Sequence, residues 1–190
     1  MATRISTLGT GFLLALTTTL ASAQSSHSLA IGANYTYVRT NILPGCECFS
    51  LNGGGAQVQL GMTSRISLLA DVTLTHAGGI TPDGYDLGQV SYTFGPRIWV
   101  RSPGARLRPF GEIKVGAAHD FGTLSPSRTG VGGGSNAFAF ETGGGVEVRL
   151  GRRVSLVPVE ANYLLTTFHN GFGDRQNDLR LSGGVLFRIK

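Results

Sequence analysis

Two cysteines one residue apart, with a carboxylate between them, form the most reactive short stretch of this 190-residue chain: Cys46-Glu47-Cys48 within PGCECFSLN. Two thiolates and one carboxylate offer an incomplete ligand set for zinc, a dithiol for redox exchange, or a disulfide that clasps a loop. His76, His119 and His169 are further possible ligands or bases, and Asp120 follows one of them. The glycine runs 132–134 and 143–145 lack the Lys-Ser/Thr and strand-to-helix setting of a phosphate loop. The first reads as a flexible loop, the second as a place where strands approach closely. No nucleophile, base and orienting group share a motif, so no catalytic residue, metal or cofactor is expected.

The context that must position these residues begins at the amino terminus. MATRISTLGTGFLLALTTTLASAQ has one cation at Arg4, a short apolar run and Ala21-Ser22-Ala23, the layout of a cleaved signal peptide over residues 1–23. The run is too short for a membrane-spanning helix, which needs ~20 apolar residues. Removing 23 of 190 residues leaves 167, residues 24–190, enough for one domain. The net charge of +5 is mild and scattered, which argues against nucleic acid. Two cysteines cannot supply a disulfide framework.

What recurs along the mature chain is period-2 alternation, the mark of strands with two unlike faces. It appears in eight segments, starting near residues 29, 54, 66, 87, 107, 136, 154 and 178. Short links (Thr63-Ser64-Arg65, Arg101 to Arg106, Gly151-Arg152-Arg153) alternate with long polar ones at about 40–53, 77–86, 120–135 and 167–177. That is an up-and-down antiparallel meander with two unlike ends. The segments are longer than the soluble average of about 5–6 residues and match the ~9–11 needed to cross a bilayer at a tilt. Asp71, Arg97, Glu112, Lys114, Glu141, Glu147, Arg149, Glu160, Arg180 and Arg188 all fall in the polar phase, and none interrupts an apolar row. The expected fold is therefore all-β: an eight-stranded antiparallel up-and-down transmembrane β-barrel. Its interior is a charge network of those ten residues. The apolar row, including Val157, faces lipid.

In this pattern the chain resembles the small eight-stranded outer-membrane barrels, such as the OmpA transmembrane domain and OmpX, within the broad bacterial outer-membrane β-barrel-domain family. The most specific piece is Ser182-Gly183-Gly184-Val185-Leu186-Phe187-Arg188-Ile189, which is similar to the terminal-strand signal of that family, with Ser182, Gly184, Phe187 and Ile189 at its key positions. The resemblance implies an outer-membrane location and recognition by the barrel-insertion machinery. It also implies short turns facing the periplasm and long loops outside. Tyr35, Tyr37, Phe138, Phe140 and Tyr163 then fall near the loop end as an aromatic girdle. The turn arginines Arg65, Arg101, Arg106, Arg152 and Arg153 would face anionic headgroups or merely water.

Eight strands enclose a space that side chains nearly fill, which argues against a general porin and for a polar plug. The expected role is structural or surface-interacting, in a monomer that contacts outer-membrane lipids and an external ligand. A narrow ion or solute channel is the alternative. A third reading is a lipid-modifying enzyme: Thr167-Phe168-His169-Asn170-Gly171 resembles the His-containing strand end of the deacylase PagL, but Gly171 stands where that family has its serine. In an oxidising exterior loop, Cys46 and Cys48 are expected as a disulfide. A ring that small stabilises by about 1.6 kcal/mol at most, so it would stiffen a loop tip.

Overall fold

The computed structural model describes residues 28–40, 49–80, 83–100, 104–127, 130–169 and 174–189. The leader expected over 1–23, the pair Cys46 and Cys48, and the turn arginine Arg101 lie outside them. The strands are β1 (Leu29–Thr40), β2 (Phe49–Gly61), β3 (Ile66–Ala77), β4 (Leu87–Trp99), β5 (Leu107–Ser127), β6 (Gly130–Arg149), β7 (Val154–Thr166) and β8 (Gln176–Arg188). Each pairs antiparallel with its sequence neighbour, and β8 returns to β1, closing the barrel. Closure leaves no strand edge unpaired, so the backbone groups of the wall are satisfied from within.

Alternation sets the two faces. On β3 the residues Ile66, Leu68, Ala70, Val72 and Leu74 are exposed, while Ser67, Leu69, Asp71, Thr73 and Thr75 are buried. The same holds on β4, where Tyr92, Phe94 and Ile98 face out and Ser91, Thr93 and Arg97 face in. An outward band of this size, running through Ile31, Val58, Leu68, Val72, Phe94, Ile113 and Leu179, would be untenable in water. It is what a lipid-facing barrel requires.

Three departures from simple alternation matter. Val157 is 3% exposed and points inward, against the expectation that it faces lipid. The cause is a bulge: between Val157 and Glu160, β7 carries one residue more than its neighbours β6 and β8, so Pro158 and Val159 both face out and the phase reverses. Pro158, which has no N–H to donate to a ladder, sits where the pairing is already broken. The expected loop over 120–135 is instead a hairpin in which β5 and β6 continue to Ser127 and Gly130, with a register shift between Gly122 and Pro126. The expected first loop over 40–53 is shorter, because β2 begins at Phe49. Close strand approach does occur at the second glycine run, where a Cβ on Gly144 would lie 2.3 Å from the Phe110 carbonyl oxygen.

Candidate functional site in the barrel interior

The antiparallel register brings inward charged residues level with an opposite charge or a polar amide. Arg97 on β4 stands opposite Glu112 on β5, Lys114 on β5 opposite Glu141 on β6, and Gln57 on β2 opposite Asp71 on β3. Arg97 Nη2 lies 2.6 Å from Glu112 Oε2 and 2.8 Å from Glu160 Oε2. Lys114 Nζ lies 3.2 Å from Glu112 and 2.6 Å from Glu141. Arg180 reaches Glu141 at 2.5 Å and Asp71 at 3.1 Å, and also donates to Thr73 Oγ1. Asn162 Nδ2 donates to Glu112 Oε1 (2.9 Å) and Glu160 Oε1 (3.0 Å). The result is one chain across the lumen, Glu160–Arg97–Glu112–Lys114–Glu141–Arg180–Asp71, with four carboxylates and three cations.

All seven members are buried. Desolvating charges to this degree is tolerable only when each meets an opposite charge and further hydrogen bonds, which the chain provides. Glu147, Arg149 and Arg188 sit apart from it, at the turn end. There Glu147 Oε1 accepts from Arg188 Nη2 at 3.0 Å and Glu147 Oε2 from Arg108 Nη1 at 3.3 Å. Arg149 and Arg188 are half-buried at that mouth rather than in the centre.

Several interior residues were not assigned to the barrel interior from the sequence. Trp99, Phe110, Val157 and Leu186 form an apolar layer between the central chain and the turn-end cluster. The Trp99 and Phe110 rings meet edge to face with centroids 5.1 Å apart, and each carries a guanidinium: Arg108 over Trp99 and Arg97 over Phe110, both at 4.0 Å. The signal for Trp99 and Phe110 was parity, since Trp99 shares the phase of Arg97 and Phe110 that of Glu112 and Arg108. Towards the loop end, Asp120 and Asp178 are buried, with Asp120 paired across strands to Gln89. Above them Val38, Leu51, Leu87 and Leu124 form a buried apolar cluster at the loop end. Mid-barrel, where Asn34, Gln57, Glu160 and Ser182 meet, no room for a water remains.

The loop-end histidines do not converge. His76 faces Asp86 at 3.8 Å, His119 Nδ1 lies 2.9 Å from Asn136 Oδ1, and His169 Nδ1 lies 2.7 Å from Asp174 Oδ1 with both side chains exposed. Among the described residues no group of three His, Cys, Asp or Glu is placed to hold a metal. Tyr35, Phe138 and Tyr163 face outward, and Tyr37 and Phe140 are half-buried. Tyr35 and Tyr37 donate or share hydrogen bonds with Asn52 (2.8 Å) and Ser50 (2.7 Å), and Tyr163 donates to Asn177. Each of these partners lies loop-ward on the adjacent strand, so all three hydroxyls lean towards the polar end, as interfacial tyrosines do. On β8 Phe187 faces outward, as does Ile189 just beyond its end, and Ser182 faces inward, while Gly184 lets β1 approach at Ala33 and Asn34.

A closed eight-stranded antiparallel barrel with charges inside and an apolar band outside has the fold of the small outer-membrane barrels. Solved structures of that class are similar to it. Neisserial surface protein A matches at a TM-score of 0.64 and 12% identity, over 84% of this chain and 96% of that one. Ail, the attachment invasion locus protein of Yersinia pestis, solved in complex with the heparin analogue sucrose octasulfate, matches at 0.58 and 12% identity, over 86% and 99%. OprG of Pseudomonas aeruginosa matches at 0.51 and 8% identity, over 86% and 96%. No protein-family model matches the chain, and no curated protein matches it significantly.

Proposed function

We propose that this protein is an outer-membrane barrel with a structural or surface-interaction role, and that it conducts no solute. The observation that carries this reading is the lumen itself: a buried ion chain, an apolar layer below it and a buried apolar cluster above it, inside a wall whose outer face is apolar. Such an interior supports the wall rather than a path through it. In this reading residues 1–23 are removed on export and residues 24–190 form the barrel. The turns face the periplasm and the loop end faces outside. Ser182, Gly184, Phe187 and Ile189 are read by the insertion machinery. The protein is a monomer, and Cys46 and Cys48 form an external disulfide. The surface-contact role takes its support from Ail, which is described as an attachment protein and was solved with a heparin analogue.

The test has two readouts. Cell fractionation should place the protein in the outer membrane, with faster migration before boiling than after it; a soluble periplasmic protein would overturn the proposal. Refolded protein in planar bilayers should be electrically silent, and stepwise conductance would replace the closed-lumen reading with that of a narrow channel.

A further inference from the structure

The turn end of the barrel repeats one arrangement in each of its turns. Arg65, Arg106 and Arg153 stand immediately before β3, β5 and β7 respectively. The carbonyl oxygen of each accepts a hydrogen bond from the end of the strand that follows: from the Trp99 amide (2.8 Å), the Arg149 amide (2.8 Å) and the Arg188 amide (2.7 Å). Their backbones are thereby pinned to the rim of the wall, and the side chains, like that of Arg152, are exposed. The residue after each is apolar and belongs to the outward row: Ile66 and Leu107 are exposed and Val154 is half-buried. One residue along a strand is about 3.3 Å, so each guanidinium stem starts at the edge of the apolar band, where hydrocarbon gives way to headgroups. A long side chain placed there lays its methylenes along apolar surface and turns its charge into the polar layer.

Charge at this end is one-sided. The links Thr63-Ser64-Arg65, 101–106 and 151–153 contain no Asp or Glu. Among the described residues the acid at this end is Glu147, which is buried and bound to Arg188 and Arg108. The other described acids sit in the lumen or at the loop end, where Asp83, Asp86 and Asp174 stand beside Arg39 and Arg175. Successive turn arginines are two strands apart, about 10 Å across the sheet, comparable with the Debye length of about 8 Å at physiological ionic strength. They are near enough to reinforce one field and too far apart to converge on one small anion. An extended anionic surface fits that spacing, and guanidinium forks match phosphodiesters.

We propose that the turn-end rim, Arg65, Arg106, Arg152 and Arg153, is a contact surface for the anionic phospholipid headgroups of the leaflet on that side. The rim anchors the barrel at one depth and gives it a lipid preference that the apolar band alone does not supply. This rests on the outer-membrane reading and deepens it.

Electron spin resonance of spin-labelled phosphatidylglycerol and phosphatidylcholine, in phosphatidylcholine vesicles holding the refolded barrel, measures the relative affinity of each lipid for the protein surface. One arginine beside an anionic surface favours it roughly fivefold; averaged over sites in both leaflets, phosphatidylglycerol should be enriched about twofold. The fourfold variant Arg65→Gln, Arg106→Gln, Arg152→Gln, Arg153→Gln should abolish the preference. Arg152→Gln with Arg153→Gln should reduce it, whereas Arg39→Gln with Arg175→Gln, an equal change of charge at the loop end, should leave it unchanged. Heat-modifiable migration confirms that each variant is folded, and the two double variants carry the comparison if the fourfold one does not fold. No preference in wild-type protein, which would make the arginines merely solvated, overturns the rim. So does an undiminished preference in a folded turn-end variant, or an equal loss in the two double variants. Such a failure leaves the outer-membrane reading standing, whereas recovery of a soluble periplasmic protein removes both.

Discussion

Replacing Arg97 with methionine removes the guanidinium shared by Glu112 and Glu160 and leaves a long apolar side chain beside Phe110. The lumenal chain then holds four carboxylates against two cations. Glu112 keeps Lys114 and Asn162, whereas Glu160 loses its direct ion pair and keeps, among the described residues, the hydrogen bond from the Asn162 amide. Breaking a buried pair from one side costs about 3–5 kcal/mol, because the remaining charge stays desolvated. At a urea slope of roughly 2 kcal/mol per M, the unfolding midpoint should fall by about 1.5–2.5 M. The triple variant Arg97→Met, Glu112→Gln, Glu160→Gln removes the three charges together and should regain most of the loss. The assay is urea unfolding of protein in vesicles, followed by Trp99 fluorescence and by migration of unboiled samples on gels. A single variant within about 0.3 M of wild type, or a triple variant no more stable than the single, would refute the view that these residues act as one electrostatic unit.

Two further outcomes are expected. A Cβ on Gly116 would lie 1.8 Å from the Tyr92 carbonyl oxygen, so Gly116→Ala should force β4 and β5 apart and greatly reduce the folded fraction; a normal yield of heat-modifiable barrel would contradict the close approach. At the loop end, hydrogen bonds from the Thr123 hydroxyl and amide, aided by His76, hold the Asp86 carboxyl below its usual range. Its contribution is therefore present above the usual carboxylate value and is lost as pH falls through the lowered one. Hydrogen exchange of the Thr123 amide, corrected for its intrinsic rate, should lose protection in acid in wild type. In Asp86→Ala it should be weakly protected at every pH, with the global unfolding midpoint unchanged. Equal pH profiles for the two proteins would dismiss the link.

Parity was the legible part of this fold. A period of two, sustained through eight segments, is enough to say which side chains share a face, and Asp71, Arg97, Glu112 and Lys114 are buried together for that reason. Parity fails wherever a strand gains one residue, and nothing in Val157-Pro158-Val159 distinguishes a bulge from two lipid-facing valines flanking a proline. The β5–β6 extension was illegible for a different reason. Residues 120–135 are rich in glycine and serine, and their strands are held by backbone pairing with few apolar side chains to mark a face. Trp99 and Phe110 carried the right parity but the wrong chemistry, since an apolar ring reads as lipid-facing until the guanidiniums stacked on it are seen. Pairings across the lumen, such as Arg180 with Asp71 and Arg97 with Glu160, join strands that are not neighbours, and they exist only once the barrel closes.

Parity also leaves a freedom that the charges remove. Any strand could slide by two residues along its neighbour and still keep every apolar side chain outside and every polar one inside. Sliding β5 one way against β4 would set Arg97 opposite Lys114 instead of Glu112, a buried pair of like charges. Sliding it the other way would set Arg97 opposite Phe110. Sliding β6 against β5 would replace the Lys114–Glu141 pair with Lys114 opposite Gly143 or Ala139, leaving a buried ammonium without its nearest carboxylate. Each slip converts a compensated charge into an uncompensated one, at a cost of several kcal/mol that the lipid-facing rows cannot sense. The bulge at Pro158 fixes β7 in the same manner, because its extra residue fits only one alignment with both β6 and β8. The lumenal ions therefore select the register among alternatives that hydrophobicity alone would leave degenerate. An isosteric apolar interior would spare the desolvation and lose that selection.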